Sequence, residues 1–191
     1  YLPSYGVASV RKATTTNLIT YSEDFSIWSI DGNQSSPITI SGLNPDGSSQ
    51  VYQINLNSGG NIYKIINISS STDYTFSVYI KGSGVGRLIL SNAQSVPENY
   101  LDFTATSEWQ RIELTGSSSY TLVRFAIGSW SNSAASGTIQ IFGSQLEQQT
   151  QAETYAKTTG LPVTIDLFTE NNYGTMINMT AGDIVPDTPN N

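Results

Sequence analysis

The sequence predicts an all-β chain built as a sandwich or barrel. Three observations carry that reading. Several segments alternate apolar and polar residues with period two. Turn residues separate them at short intervals. No segment shows a convincing amphipathic helical repeat. The stretch at residues 72–81, TDYTFSVYIK, is the clearest strand. It places Tyr74, Phe76, Val78 and Ile80 on one face and Thr75, Ser77, Tyr79 and Lys81 on the other. YTLVRFAIG at residues 120–128 sets Val123, Phe125 and Ile127 against Arg124 and Ala126. GTIQIFGSQL at residues 137–146 puts Ile139 and Ile141 on one face. SEWQRIELT at residues 107–115 reads as a strand of unfixed register. Shorter candidates lie at residues 36–41, 50–56, 61–67, 87–90 and 100–103.

Turn chemistry punctuates these runs. Asn44-Pro45-Asp46-Gly47 is the strongest signal, because proline presets φ and glycine accepts a positive φ. Asn57-Ser58-Gly59-Gly60 and Lys81-Gly82-Ser83-Gly84 read as loops of the same kind. Residues 145–157 are mildly helix-friendly, but their Gln and Thr content suits a loop equally. A hairpin is expected around Asn171–Gly174.

The 191 residues fit one domain with extensions, long enough to bury a substantial core. Charged residues make up 12% of the chain, about half the usual share of roughly 25%. Ser, Thr, Asn, Gln and Gly therefore supply the polar surface, as in many extracellular and virion β-proteins. Net charge is −7, and the eight basic residues form no stripe. Nucleic acid and anionic membranes are excluded as expected partners, since both need clustered positive charge. There is no Cys and no His. Ser-His-Asp, Cys-His and His-based zinc chemistry are thereby excluded, leaving carboxylate-pair glycoside hydrolysis as the one enzymatic alternative. No apolar run approaches the roughly 20 residues that span a bilayer. The chain opens at Tyr1, so a fragment or processed product is expected.

Six phrases, taken in order, resemble a known domain. They are NLITYSEDFSIWS at residues 17–29, NPDGSSQ at 44–50, YTFSVYIK at 74–81, EWQRIEL at 108–114, IQIFGSQLE at 139–147 and TYAKTTG at 154–160. In this order and spacing they resemble a domain repeated in bacteriophage tail-fibre, head-spike and minor structural proteins. Phe142 departs conservatively from the Trp often found there. The resemblance implies a jelly-roll β-sandwich, like that of carbohydrate-binding modules, over residues 17–154. Residues 1–16 would be a linker ending a preceding domain, since Tyr1–Gly6 echoes Tyr155–Gly160. Residues 155–191 would be a linker and β-rich extension, leading to the next domain or to an oligomer contact.

The role this implies is non-enzymatic: a fibre, head spike or decoration protein on the virion surface, made in the bacterial host cytoplasm. Its partners would be other virion proteins and copies of itself, as a homotrimer. The apolar residues Val163, Ile165, Leu167, Phe168, Met176, Ile177 and Met179 would form the contact. The alternative is an adhesion module for host surface glycans. Sugar binding needs aromatic platforms among polar groups. Trp130, in the polar loop SWSNSAASG, is the first candidate, followed by Tyr79, Tyr52 and Tyr63. Trp28 and Trp109 read better as packing residues. No cofactor is expected beyond a candidate structural calcium ion. Jelly rolls of this type often hold one, and Glu23, Asp24 and Glu147 would supply hard oxygens.

Overall fold

A computed structural model describes residues 13–92, 97–130 and 133–167. The expected Asn171–Gly174 hairpin and most of the apolar tail lie outside them. Eleven strands are present among the described residues: β1 (Ala13–Asn17), β2 (Ser29–Gly32), β3 (Ile38–Ser41), β4 (Gln50–Asn55), β5 (Gly60–Asn67), β6 (Asp73–Asn92), β7 (Pro97–Thr104), β8 (Gln110–Ser117), β9 (Leu122–Gly128), β10 (Ser136–Glu147) and β11 (Val163–Leu167). A single 3₁₀ turn, Phe25–Ile27, precedes β2. Every strand pairing is antiparallel.

The long strand β6 organises the molecule, because its two halves serve two layers. Asp73–Ile80 pairs with β8 on one side, while β10 lies along the other, followed by β4 and β3. Its second half, from Val85 onward, pairs with β7 on one side and β9 on the other, followed by β5 and β2. The expected loop at residues 81–84 is therefore continuous strand, with Lys81, Gly82, Ser83 and Gly84 paired to Gln140, Ile139, Thr138 and Gly137. Glycine explains the difference. A Cβ at Gly82 would sit 2.5 Å from the Thr138 carbonyl, and one at Gly86 would sit 2.8 Å from the Phe103 ring. Gly82 also has φ +137. Glycines that read as a turn instead let one strand bend between layers without breaking its ladder.

The core fills the space between the layers. Tyr74, Phe76, Val78 and Ile80 of β6 point inward as their periodicity predicts, as do Val123, Phe125 and Ile127 of β9. Phe76 of one layer meets Phe125 of the other at 5.7 Å between ring centroids. The chain of rings continues through Trp28, Phe25 and Tyr52. The register of β8 is fixed by Ile112 opposite Val78 and Leu114 opposite Phe76. Trp109 stays in the preceding loop, its indole N–H donating to the Leu43 carbonyl at 2.9 Å. The Asn44–Gly47 turn forms as expected, with Gly47 at φ +83 and its N–H donating to the Asn44 carbonyl.

The fold extends beyond residue 154. Residues 148–160 carry no helix; they cross the outer face of the β8–β6–β10 layer. There Tyr155 packs against Tyr79 and Phe142, and Arg111 donates to the Glu153 carbonyl at 2.5 Å. Val163–Leu167, part of the expected oligomer contact, pairs with Ala13–Asn17 of the same chain.

The opening and closing phrases form one clasp. Asn17 is fully buried, and its amide makes four hydrogen bonds. It donates to the carbonyls of Ser144 and Ala156 and accepts from the N–H groups of Ile19 and Leu146. Thr158 donates through its hydroxyl to the Ile19 carbonyl, and Ser22 and Thr158 exchange backbone-to-hydroxyl bonds.

Candidate functional site

The outer face of the β2–β5–β9–β6–β7 layer remains uncovered by the clasp, and strand register sets its side chains in rows. One cross-strand row reads Ser29, Tyr63, Ala126, Ile89 and Tyr100. The next reads Asp31, Asn61, Gly128, Arg87 and Asp102. On the other side Ile65, Arg124 and Ser91 lie in line. Tyr63 and Tyr100 stand three strands apart, about 14 Å at the usual strand spacing.

Two arginines occupy the middle of this face, each stacked on one of those tyrosines. The Arg124 guanidinium lies 3.9 Å from the Tyr63 ring centroid and 5.3 Å from that of Trp130. The Arg87 guanidinium lies 3.8 Å from the Tyr100 centroid. Such stacking is favourable because the ring face is electron-rich, by roughly 0.5–2 kcal/mol. Each arginine is also ion-paired: Arg124 with Asp31 at 2.5 Å, Arg87 with Asp102 at 2.6 Å. The hydrogen bond from Arg87 holds the Asp102 carboxyl below the usual aspartate range. Ala126 and Ile89 are completely buried beneath this layer.

The face is flanked by hollows. One of about 200 Å³ is lined by Asp31, Gly59, Asn61, Ser129 and Trp130. Another of about 470 Å³ includes Val85, Arg87, Asp102 and Ser133. The Trp130 backbone is held by its own loop: its main-chain N–H donates to the Ser133 hydroxyl at 2.9 Å. Among the described residues, Asn61 Oδ1 and Arg124 Nε are buried with no hydrogen-bond partner. The arrangement thus presents one exposed ring, Tyr100, and two half-buried ones, Tyr63 and Trp130, beside fixed donors and acceptors, with charge close to balance.

The structure brings Trp130 and Tyr63 together around Arg124, and separates them from the other two aromatic candidates. Tyr52 belongs to the core, 8% exposed, with its ring edge-on to Phe25; only its hydroxyl reaches outward, donating to Asp24 at 2.9 Å. Tyr79 lies on the opposite layer, beneath the crossing segment and against Phe142 and Tyr155. Tyr100, Arg87 and Arg124 were missing from the sequence reading. Period two puts Arg124 on the outer face, but nothing local shows that arginines in β6 and β9, three strands apart in sequence, share one surface.

The three acids considered for calcium are not assembled. Among the described residues, no group of three or more Asp, Glu, His or Cys side chains is placed to hold one metal ion. Glu23 is paired with Lys157 at 2.6 Å. Asp24 accepts from Ser26 and Tyr52, and the Ser26 bond holds its carboxyl below the ordinary range. Glu147 is wholly buried elsewhere, accepting from the Thr15 hydroxyl and the Glu153 N–H, with Arg111 at 4.0 Å.

No family model and no curated protein matches the sequence. Solved structures do match the fold. The TmCBM61 module in complex with β-1,4-galactotriose superposes with a TM-score of 0.51 at 13% identity, covering 70% of this chain and 99% of that one. The CBM22-1 xylan-binding domain from Paenibacillus barcinonensis Xyn10C gives a TM-score of 0.51 at 12% identity, covering 72% and 94%. The chain therefore has the jelly-roll fold of carbohydrate-binding modules, as the sequence resemblance implied.

Proposed function

We propose that this chain is a non-catalytic glycan-binding module, and that it holds its ligand on the outer face carrying Tyr63, Arg124, Trp130, Arg87 and Tyr100. The supporting observation is the pair of arginine–tyrosine stacks on one uncovered sheet face. Sugars present flat C–H faces and peripheral hydroxyls. Exposed aromatic surface suits the first and fixed polar groups suit the second. Each arginine already faces an aspartate, so the surface offers donors and acceptors in equal measure. That composition favours a neutral glycan over a uronic acid, whose carboxylate would have to compete with Asp31 and Asp102. The fold shared with the module solved in complex with β-1,4-galactotriose and with the xylan-binding domain is in keeping with this reading, although a fold does not by itself assign a ligand.

The binding role is preferred over a purely architectural one because this face gains nothing from remaining open in a packing element. The setting we propose for the module is a phage particle surface, with host glycans as ligands; it rests on the phrases at residues 17–29 and 139–160. Binding of the chain to an array of bacterial and plant glycans tests the reading. Saturable retention of neutral oligosaccharides, lost on Tyr63→Ala with Trp130→Ala, is expected. Equal retention by the double variant would remove the face from the account.

A further inference from the structure

A further cavity, on the clasp, shares no residue with the face described above. It measures about 390 Å³, within the range of about 300–1,000 Å³ usual for small-ligand sites. Tyr21, Glu23, Asp24, Gln50, Tyr52 and Lys157 supply most of its wall. It lies between the opening phrase, the closing phrase and the start of β4.

Its construction is specific. Tyr21 has φ +54, a left-handed conformation uncommon for a residue with a side chain. Its neighbours hold it there. The Thr20 carbonyl accepts from Lys64 Nζ at 2.7 Å, and the Ser22 N–H donates to the Thr158 hydroxyl at 3.0 Å. The Tyr21 carbonyl itself accepts from the Asp24 N–H at 3.0 Å. Gly160, at φ +138, lies under the ring: a Cβ there would come within 3.4 Å of Tyr21 Cζ. Two unusual backbone positions therefore place one ring beside the cavity, and that ring is 48% exposed instead of packed in the core. Backbone strain of this kind persists only where the surroundings enforce it, and it gathers at ligand-holding positions.

The polar wall is equally fixed. Lys157 is held by Glu23 at 2.6 Å, and Asp24 by the Tyr52 hydroxyl at 2.9 Å and by Ser26. Each carboxylate retains acceptor capacity after those bonds. Gln50 adds an amide that can both donate and accept. Two carboxylates against one ammonium repel an anion, while a ring beside hydroxyl, amide and carboxylate groups suits a small polyol.

We infer that this clasp cavity is a second binding site, for a single neutral sugar unit stacked on Tyr21 with its hydroxyls bonded to Asp24, Glu23 and Gln50. It would take a free monosaccharide or the end unit of a chain, whereas the sheet face would take the length of a chain. The inference does not depend on the sheet face being a site.

The test is a ¹H–¹⁵N titration of the whole chain with free glucose, galactose and xylose, alongside glucuronate, and with the reducing and non-reducing ends of a β-linked trisaccharide blocked in turn. At least one neutral monosaccharide should shift the backbone amides of Tyr21, Gln50 and Thr159 while the Trp130 indole stays still. Tyr21→Asn keeps the turn, because Asn tolerates the left-handed region, and should weaken that binding about tenfold or more. Gln50→Ala should weaken it too, and Tyr63→Ala with Trp130→Ala should leave it unchanged. A trisaccharide blocked at the end that enters the cavity should shift only the sheet face. The inference is overturned if no monosaccharide moves those amides, if glucuronate binds as tightly as glucose, or if Tyr21→Asn and Gln50→Ala both bind normally. A trisaccharide that never moves Trp130 would count against the sheet face alone.

Discussion

At the scale of single residues, the account makes Trp130 and Tyr63 a working pair and Arg124 the part that holds them in place. Arg124 is nearly buried, lies against both rings and reaches Asp31. Arg124→Met keeps much of the stem volume but removes the ion pair and the planar surface between the rings. It should weaken glycan binding about tenfold, roughly 1.4 kcal/mol, in a calorimetric titration. Tyr63→Ala and Trp130→Ala should each cost a similar factor. The Arg87–Asp102 pair gives a pH dependence with a definite sign. The Asp102 carboxyl is held below its ordinary value by the arginine's hydrogen bond. A depressed carboxylate contributes above its unfolded pKa, about 3.9, and that contribution is lost as pH falls through the lower folded value. The pair therefore stays ionised, and its contribution to stability intact, from neutral pH down to about 4; affinity on this face should stay flat over the same range and decline only below it. A decline centred near pH 6 would contradict the role given to this pair.

At the scale of elements, the sequence revealed strands better than it revealed surfaces. The inward faces of β6 and β9 were legible because burial on one side imposes period two. The bend in β6 was not legible, because Gly82, Gly84 and Gly86 look like a turn until a partner strand is seen pairing through them. Gly86→Val tests that point: its side chain would collide with Phe103 and Leu56. Urea unfolding should show a loss of about 2–4 kcal/mol, as for other overpacked or strained core positions. Asn17→Ala tests the clasp. It removes four hydrogen bonds and leaves buried backbone groups on three segments without partners, which should cost about 3 kcal/mol or more. The opening and closing phrases that carried the resemblance form this clasp. Asn17, Ser22 and Thr158 close the domain there, a packing role that needs no ligand. The binding face lies outside those phrases. Its side chains come from β2, β5, β6, β7 and β9 and from the loop after β9 that carries Trp130, and strand order makes them neighbours.

At the scale of the whole molecule, the two sandwich layers have different outer faces. The β8–β6–β10 layer is covered by residues 148–160, which take Tyr79 out of contention as a platform. No described residue outside the β2–β5–β9–β6–β7 layer is shown crossing its outer face, which carries two charge-balanced arginine–tyrosine stacks with hollows beside them. Pairing of β1 with β11 brings the chain into and out of the domain side by side. A neutral ligand on such a face should bind with little dependence on salt, since no net charge is neutralised. A steep loss of affinity between low and physiological ionic strength would point to an anionic ligand instead.

The three tryptophans sample three distinct places, and this makes one measurement especially direct. Trp28 is in the core, Trp109 is bonded to Leu43 beside β8, and Trp130 is on the proposed face. The indole N–H signals of the intact chain should be followed in ¹H–¹⁵N spectra during titration with a neutral oligosaccharide retained on the glycan array. The account predicts that the Trp130 signal shifts and saturates while those of Trp28 and Trp109 stay in place. Saturable binding that leaves Trp130 unmoved, or that moves Trp109 in its stead, would contradict it.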